Sequence, residues 1–149
     1  MKFNTKNNKE TIDIGYKLAL LAKPNMIYCM SGDLGAGKTT MTKGIAKGLE
    51  IDDIITSPTF TIMKSYQGRL ALYHLDCYRL EGINQDLGFE EYLEDDGLAV
   101  IEWSENIKNL IKECLYINIE YIDDNNRIIT LVPNGKQYEE LIKELEKIC

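Results

Sequence analysis

Arginine is scarce in this chain: Arg69, Arg79 and Arg127 are the three it has among 149 residues. Acidic side chains outnumber basic ones 24 to 17, for a formal net charge of −7. A protein that grips a nucleic-acid backbone unaided carries a basic face, so DNA binding and autonomous RNA binding are not expected. Cysteine is sparse and scattered. Cys29, Cys77, Cys114 and Cys149 form no C-x-x-C pair, which excludes a disulfide framework or zinc ribbon and fits a reducing compartment. Long apolar runs are missing too, and none approaches the roughly 20 residues of a membrane span. The opening MKFNTKNNKETID has no apolar stretch of the secretory kind, so the cytoplasm is the expected location. With no repeat, low-complexity tract or linker, residues 1–149 read as one domain.

The apolar residues that are present mark out the elements. ETIDIGYKLALLAK (10–23) aligns Ile14, Leu18, Leu21 and Ala22 on one side of a helix. Pro24-Asn25 turns the chain into a short strand, MIYCM, and TTMTKGIAKGLEI then continues as a second helix. FTIMKSY and LALYHLD, joined through Gln67-Gly68, predict a hairpin, and LYINIEYIDDNNRIITLVP predicts another turned at 124–126. Between them lie an acidic stretch with a short helix around 86–93, the compact strand GLAVIEW (97–103) and the short helix SENIKNLIKE. QYEELIKELEKIC closes the chain as an amphipathic helix. The order is α-β-α followed by a mixed sheet, an α/β sandwich.

Between the first strand and second helix stands Gly32-Asp33-Leu34-Gly35-Ala36-Gly37-Lys38-Thr39, which matches G-x-x-x-x-G-K-[ST] in full. Glycines let backbone N–H groups turn inward on phosphate oxygens, and the helix that follows adds its N-terminal dipole. In such a loop Lys38 reaches the β- and γ-phosphates and the Thr39 hydroxyl ligates Mg²⁺. From the chain's own Gly, Lys, Ser and Thr content, a chance match has a probability of roughly 0.6%. The expected ligand is therefore a nucleoside triphosphate, held by residues 33–40: Asp33, Leu34, Gly35, Ala36, Gly37, Lys38, Thr39 and Thr40. No N-K-x-D base-reading motif is present, which favours ATP over GTP. A free-standing small-molecule kinase is the alternative, but it uses an arginine-rich lid that three scattered arginines do not supply.

Further motifs follow in order: S-P-T-F at 57–60, H-L-D-C-Y-R-L at 74–80, D-L-G-F-E-E-Y at 86–92 and V-I-E-W at 100–103. With G-D-L-G-A-G-K-T-T in front, the chain closely resembles the bacterial TsaE (YjeE) family over roughly residues 10–135. One departure is Ser104, where family members commonly have Pro after I-E-W; a small change in turn geometry is expected. The resemblance implies a single-domain, P-loop NTPase-like three-layer sandwich with a mixed, partly parallel sheet. It implies a weak Mg²⁺-dependent ATPase that serves tRNA threonylcarbamoyladenosine (t6A) synthesis together with a TsaB–TsaD complex, the tRNA being handled mainly by those partners.

Individual residues carry the chemistry. Asp76 ends an apolar strand, where the C-terminal end faces the ligand crevice of an α/β sheet. It is a candidate for holding Mg²⁺ through water or orienting the attacking water, the alternative being a cap on the turn to Tyr78-Arg79. Glu102 ends GLAVIE in the same way, and a carboxylate there is costly unless paired or metal-bound. The resemblance makes it a Mg²⁺ ligand beside Thr39; a salt bridge to a lysine is the plainer reading. Lys38, Asp76 and Glu102 are thus the catalytic candidates. Thr59 stands where P-loop proteins often present a hydroxyl to the γ-phosphate, in a loop stiffened by Pro58. Family likeness places Thr11 near the nucleotide, as an alternative to capping its helix, and Arg127 is a weaker candidate of that kind. His74 shares a strand face with Asp76 and reads as a core residue. Trp103 is expected on the face opposite Glu102, as a packing anchor or part of a partner surface.

Overall fold

The computed structural model describes residues 1–33, 35–58, 63–78, 91, 93 and 95–149. Leu34, Thr59, Arg79 and most of the expected 86–93 helix lie outside the described residues. Seven strands, β1 (Lys2–Thr5), β2 (Ile27–Ser31), β3 (Met63–Tyr66), β4 (Leu72–Asp76), β5 (Leu98–Glu102), β6 (Cys114–Tyr121) and β7 (Arg127–Asn134), form one sheet in the order β1-β7-β6-β2-β5-β4-β3. The central pairings, β6–β2, β2–β5 and β5–β4, are parallel; both flanks are antiparallel. This is the expected α/β class with a mixed, partly parallel sheet. Both predicted hairpins are present as β3–β4 and β6–β7.

Helices α1 (Asn8–Leu20), α2 (Lys38–Gly48) and α3 (Lys136–Ile148) share the larger core, which joins Leu18, Met41, Ile45 and Leu145 to Leu72, Val100, Ile117 and Ile129 of the sheet. On the other face a smaller cluster packs Ile107, from the 3-10 helix Ser104–Leu110, against Cys29, Leu75 and Ile101. The strands β2, β4 and β5 are apolar on both faces because both are covered, as parallel strands require.

Local chemistry sets the ends. Asn7 caps α1 by accepting the Glu10 N–H at 2.9 Å, while the Glu10 carboxylate accepts the Lys6 N–H at 2.8 Å, a reciprocal cap. The contact between α1 and α2 is backbone on backbone: a Cβ at Gly44 would stand 2.1 Å from the Ile12 carbonyl oxygen. Strand β1 was not signalled by its sequence, KFNT. Its extended form comes from pairing with β7 in the register Phe3↔Ile129.

The start of β2, which leads to the glycine loop, is fixed from α3. The buried Tyr138 hydroxyl accepts the Ile27 N–H at 2.8 Å. Burial raises the Tyr138 hydroxyl to about 12. Tyr138→Phe leaves that N–H unpaired and should cost about 1–3 kcal/mol in urea unfolding. Because the hydroxyl is raised by burial, and against the Ile27 bond, the wild type should lose stability as pH rises from the ordinary tyrosine value of 10.0 through about 12, when the phenolate would have to be buried, a loss the Phe variant lacks.

Candidate active site

Strands β4, β5 and β2 run parallel and end together: Asp76 pairs with Glu102, and Glu102 with Met30. Their C-terminal edge is therefore where the glycine loop leaves β2 and where both strand-end carboxylates stand. The loop turns into α2 at Gly37, whose φ of 114° and ψ of 16° belong to the left-handed side that L side chains rarely adopt. From there α2 runs away from the sheet edge with its N-terminus facing the cleft. Its first turn is held by the Met41 N–H on the Gly37 carbonyl and the Thr42 hydroxyl on the Lys38 carbonyl.

A cleft of about 640 Å³ opens at this edge, lined by Gly35, Gly37, Lys38, Thr39, Thr40, Ser57, Asp76, Tyr78, Glu102 and Trp103. A larger depression, about 860 Å³, lies between β1, α1 and the C-terminus and includes neither the glycine loop nor the strand-end carboxylates. The glycine-loop residues and the strand-end carboxylates meet in the smaller cleft.

Glu102 is its electrostatic centre. It is almost completely buried, with Oε1 3.4 Å from the Lys38 ammonium and Oε2 2.8 Å from His74 Nε2. Burial alone pushes the carboxyl up; the His74 hydrogen bond and the Lys38 charge outweigh it and hold Glu102 below the ordinary 4.5. The plainer expectation, a lysine partner for Glu102, is met by the loop lysine itself. His74 is fully buried as expected of a core residue, but it is also an anchor for Glu102. Its Nδ1 finds no hydrogen-bond partner among the described residues. An unpaired lone pair there is cheaper than an unpaired N–H, so the proton belongs on Nε2, donating to the carboxylate.

Asp76, also buried, accepts the Tyr78 N–H on Oδ1 at 3.0 Å. It caps the turn after β4, the plainer of its two readings, and it also lines the cleft. Among the described residues no three His, Cys, Asp or Glu converge as a cation cage. The oxygen donors here, the Thr39 hydroxyl and the two carboxylates, suit a hard cation that shares its remaining positions with water and phosphate, which is the habit of Mg²⁺.

Other candidates are placed differently. Asp33 is exposed, and its carbonyl accepts the Ala36 N–H at 2.9 Å. Thr11 is buried in the first turn of α1, its hydroxyl 2.8 Å from that of Thr5, and it does not line the cleft; Asn7, not Thr11, is the helix cap. Arg127 reaches the loop through backbone, its Nε donating to the Ala36 carbonyl at 2.7 Å. Trp103 departs from the expected alternation because β5 stops at Glu102. Its φ of 59° swings the ring to the cleft rim, edge-on to Tyr78 with centroids 4.9 Å apart. Tyr78 and Ser57 are cleft residues that no motif argument singled out.

Fold and site together define an α/β protein with a phosphate-loop sequence at the C-terminal edge of a mixed sheet. The family model described as "Threonylcarbamoyl adenosine biosynthesis protein TsaE" matches residues 5–129. A Bacillus subtilis (strain 168) protein named tRNA threonylcarbamoyladenosine biosynthesis protein TsaE is 46% identical over 149 residues, covering 99% of this chain and 94% of its relative. A Treponema pallidum (strain Nichols) protein of the same name is 37% identical over 134 residues, covering 88% and 99%. The crystal structure of Bacillus subtilis YdiB superposes with a TM-score of 0.86 at 40% identity, covering 99% of this chain and 95% of that one. The chain belongs to the TsaE family.

The lowered Glu102 predicts an acid-limb effect. Its contribution to stability is complete above the unfolded carboxylate value and is lost as pH falls through the lower folded value. Urea midpoints measured from pH 7 down to pH 3 should fall more steeply for the wild type than for Glu102→Gln. Parallel curves would show that the Lys38–Glu102–His74 contacts contribute nothing to the fold.

Proposed function

We propose that this protein is the Mg²⁺-dependent ATP-binding and ATP-hydrolysing subunit of t6A synthesis, acting with a TsaB–TsaD complex that handles the tRNA. The observation that supports it most is the convergence of Lys38, Thr39, Asp76 and Glu102 on one cleft beside the glycine loop. Its volume of about 640 Å³ is of the size that encloses a small ligand such as a nucleotide. Membership of a family named for t6A synthesis supports the pathway. A cytoplasmic location belongs to the same proposal; among the described residues no helix is long and apolar enough to cross a membrane.

In this reading the loop N–H groups and the N-terminus of α2 receive the phosphates. Lys38 exchanges its contact with Glu102 for the β- and γ-phosphates. Thr39 and Glu102 would hold Mg²⁺, with Asp76 acting through water, and the ion would supply neutralisation of phosphate charge. Asp76 orients the water that attacks the γ-phosphorus as the bond to the bridging oxygen breaks. His74 keeps the Glu102 carboxylate in place while Lys38 is engaged elsewhere. Among the described residues, neither arginine, Arg69 or Arg127, is available for transition-state charge. Arg69 donates to the Ala19 carbonyl at 2.7 Å, and Arg127 is tied to the loop backbone. A P-loop site without an arginine in place is slower by roughly 10³–10⁵-fold until a partner completes it.

Two measurements test the reading. Lys38→Ala should keep the fold and lose ATP affinity or turnover; unchanged calorimetric affinity together with unchanged hydrolysis rejects the site. Phosphate release should be sluggish for the chain alone and accelerate when both partner proteins are added, in step with t6A formation on tRNA. Efficient ATP consumption by the lone chain on a sugar or nucleoside acceptor would identify a kinase instead.

A further inference from the structure

One peptide of the glycine loop has its carbonyl held by a donor from a distant part of the chain. Rotating the 36–37 peptide plane changes ψ of Ala36 and φ of Gly37, and glycine accepts either result at little cost. A trans peptide is planar, with its C=O and N–H pointing in opposite directions. Whatever holds the Ala36 carbonyl on one side therefore aims the Gly37 N–H at the other.

Arg127 holds it. The residue opens β7, directly after the turn 123–126, and β6 of the same hairpin lies beside β2. The Arg127 Nε donates to the Ala36 carbonyl at 2.7 Å, a charge-assisted bond to a fully buried residue. The rest of the guanidinium is also fixed: Nη1 donates to the Asn126 carbonyl at 3.0 Å and to the Asp123 carbonyl, and the cation sits 4.6 Å from the centroid of the Tyr121 ring. Asp123 in turn accepts the N–H groups of Asn125 and Asn126, so the turn supporting the cation is itself hydrogen-bonded. Gly37 lines the cleft, whereas Arg127 does not.

We propose that Arg127 is a positioning residue that presets the Ala36–Gly37 peptide, turning the Gly37 N–H toward the phosphate site without touching phosphate itself. This rests on the reading of the glycine loop as a phosphate cradle. It also gives the β6–β7 hairpin a role at a site more than ninety residues earlier in the chain.

The test uses the full chain with Arg127→Met, which keeps an apolar stem and removes every donor, and Arg127→Lys, which retains one cationic donor. In the nucleotide-free protein the Gly37 amide resonance should shift in Arg127→Met and return toward the wild-type position in Arg127→Lys. Calorimetry should show ADP and ATP weakened by the same factor in Arg127→Met, about tenfold, as expected for one charge-assisted hydrogen bond misplaced. Arg127→Lys should restore most of that loss. An unmoved Gly37 resonance in Arg127→Met overturns the proposal whatever happens to binding. Loss of ATP affinity with ADP untouched overturns it as well, since that pattern marks direct contact with the γ-phosphate. If Arg127→Met does not fold, Arg127→Lys decides alone, because its smaller shift and smaller loss must still be equal for both nucleotides. A wild-type chain that binds neither nucleotide would refute the ATP reading, and the Gly37 resonance would then still decide whether the brace exists.

Discussion

The cleft depends on three parallel strands ending at the same level. Because Asp76, Glu102 and Met30 stand side by side across β4, β5 and β2, one sheet edge presents two carboxylates next to the point where the glycine loop departs. A shift of one residue in either pairing would turn a carboxylate to the opposite face, into the cluster of Cys29, Leu75 and Ile101. The apolar interiors of these strands, covered on both faces, prevent that shift. Packing thus acts on chemistry through register.

Glu102 shows how a charge survives in such a place. Stripped of water, a lone carboxylate would take up a proton; with one oxygen on His74 and the other near Lys38 it stays ionised. The two partners differ in kind. His74 is sealed in the sheet, while Lys38 is on a helix N-terminus facing the cleft. The carboxylate is consequently held by one contact sealed in the sheet and one at the edge of the cleft.

Much of this was legible in the sequence where the signal is local. The glycine spacing, the charges closing the apolar runs at Asp76 and Glu102, and the turn at Gln67-Gly68 each announce themselves within a few residues, and the structure puts them where their spelling implies. What stayed hidden is what depends on strand neighbours. The His74–Glu102 contact runs diagonally between β4 and β5, and the bond from Arg127 to Ala36 exists only because β6 lies against β2. β1 has no strand signature of its own and is shaped by β7. The contact of the Thr11 hydroxyl with that of Thr5 is likewise decided by the β1–α1 packing. Trp103 escaped the alternation rule because a left-handed residue ended the strand one position earlier than its apolar character suggested.

The backbone contact at Gly44 bears on how this sequence can drift over evolutionary time. Glycine is the smallest residue, so every replacement there adds atoms, and the first atom added would lie 2.1 Å from the Ile12 carbonyl oxygen. The neighbouring helix cannot withdraw by a change of rotamer, because the obstacle is main chain. Sequences that keep this helix pairing are expected to keep Gly44, less than two helical turns from Lys38. Two constraints of unrelated kind stand at either end of that short stretch, one in the charged contact of Lys38 with Glu102 and one in the fit between two helices. A motif drawn through both would merge a charged contact with a constraint imposed by steric exclusion.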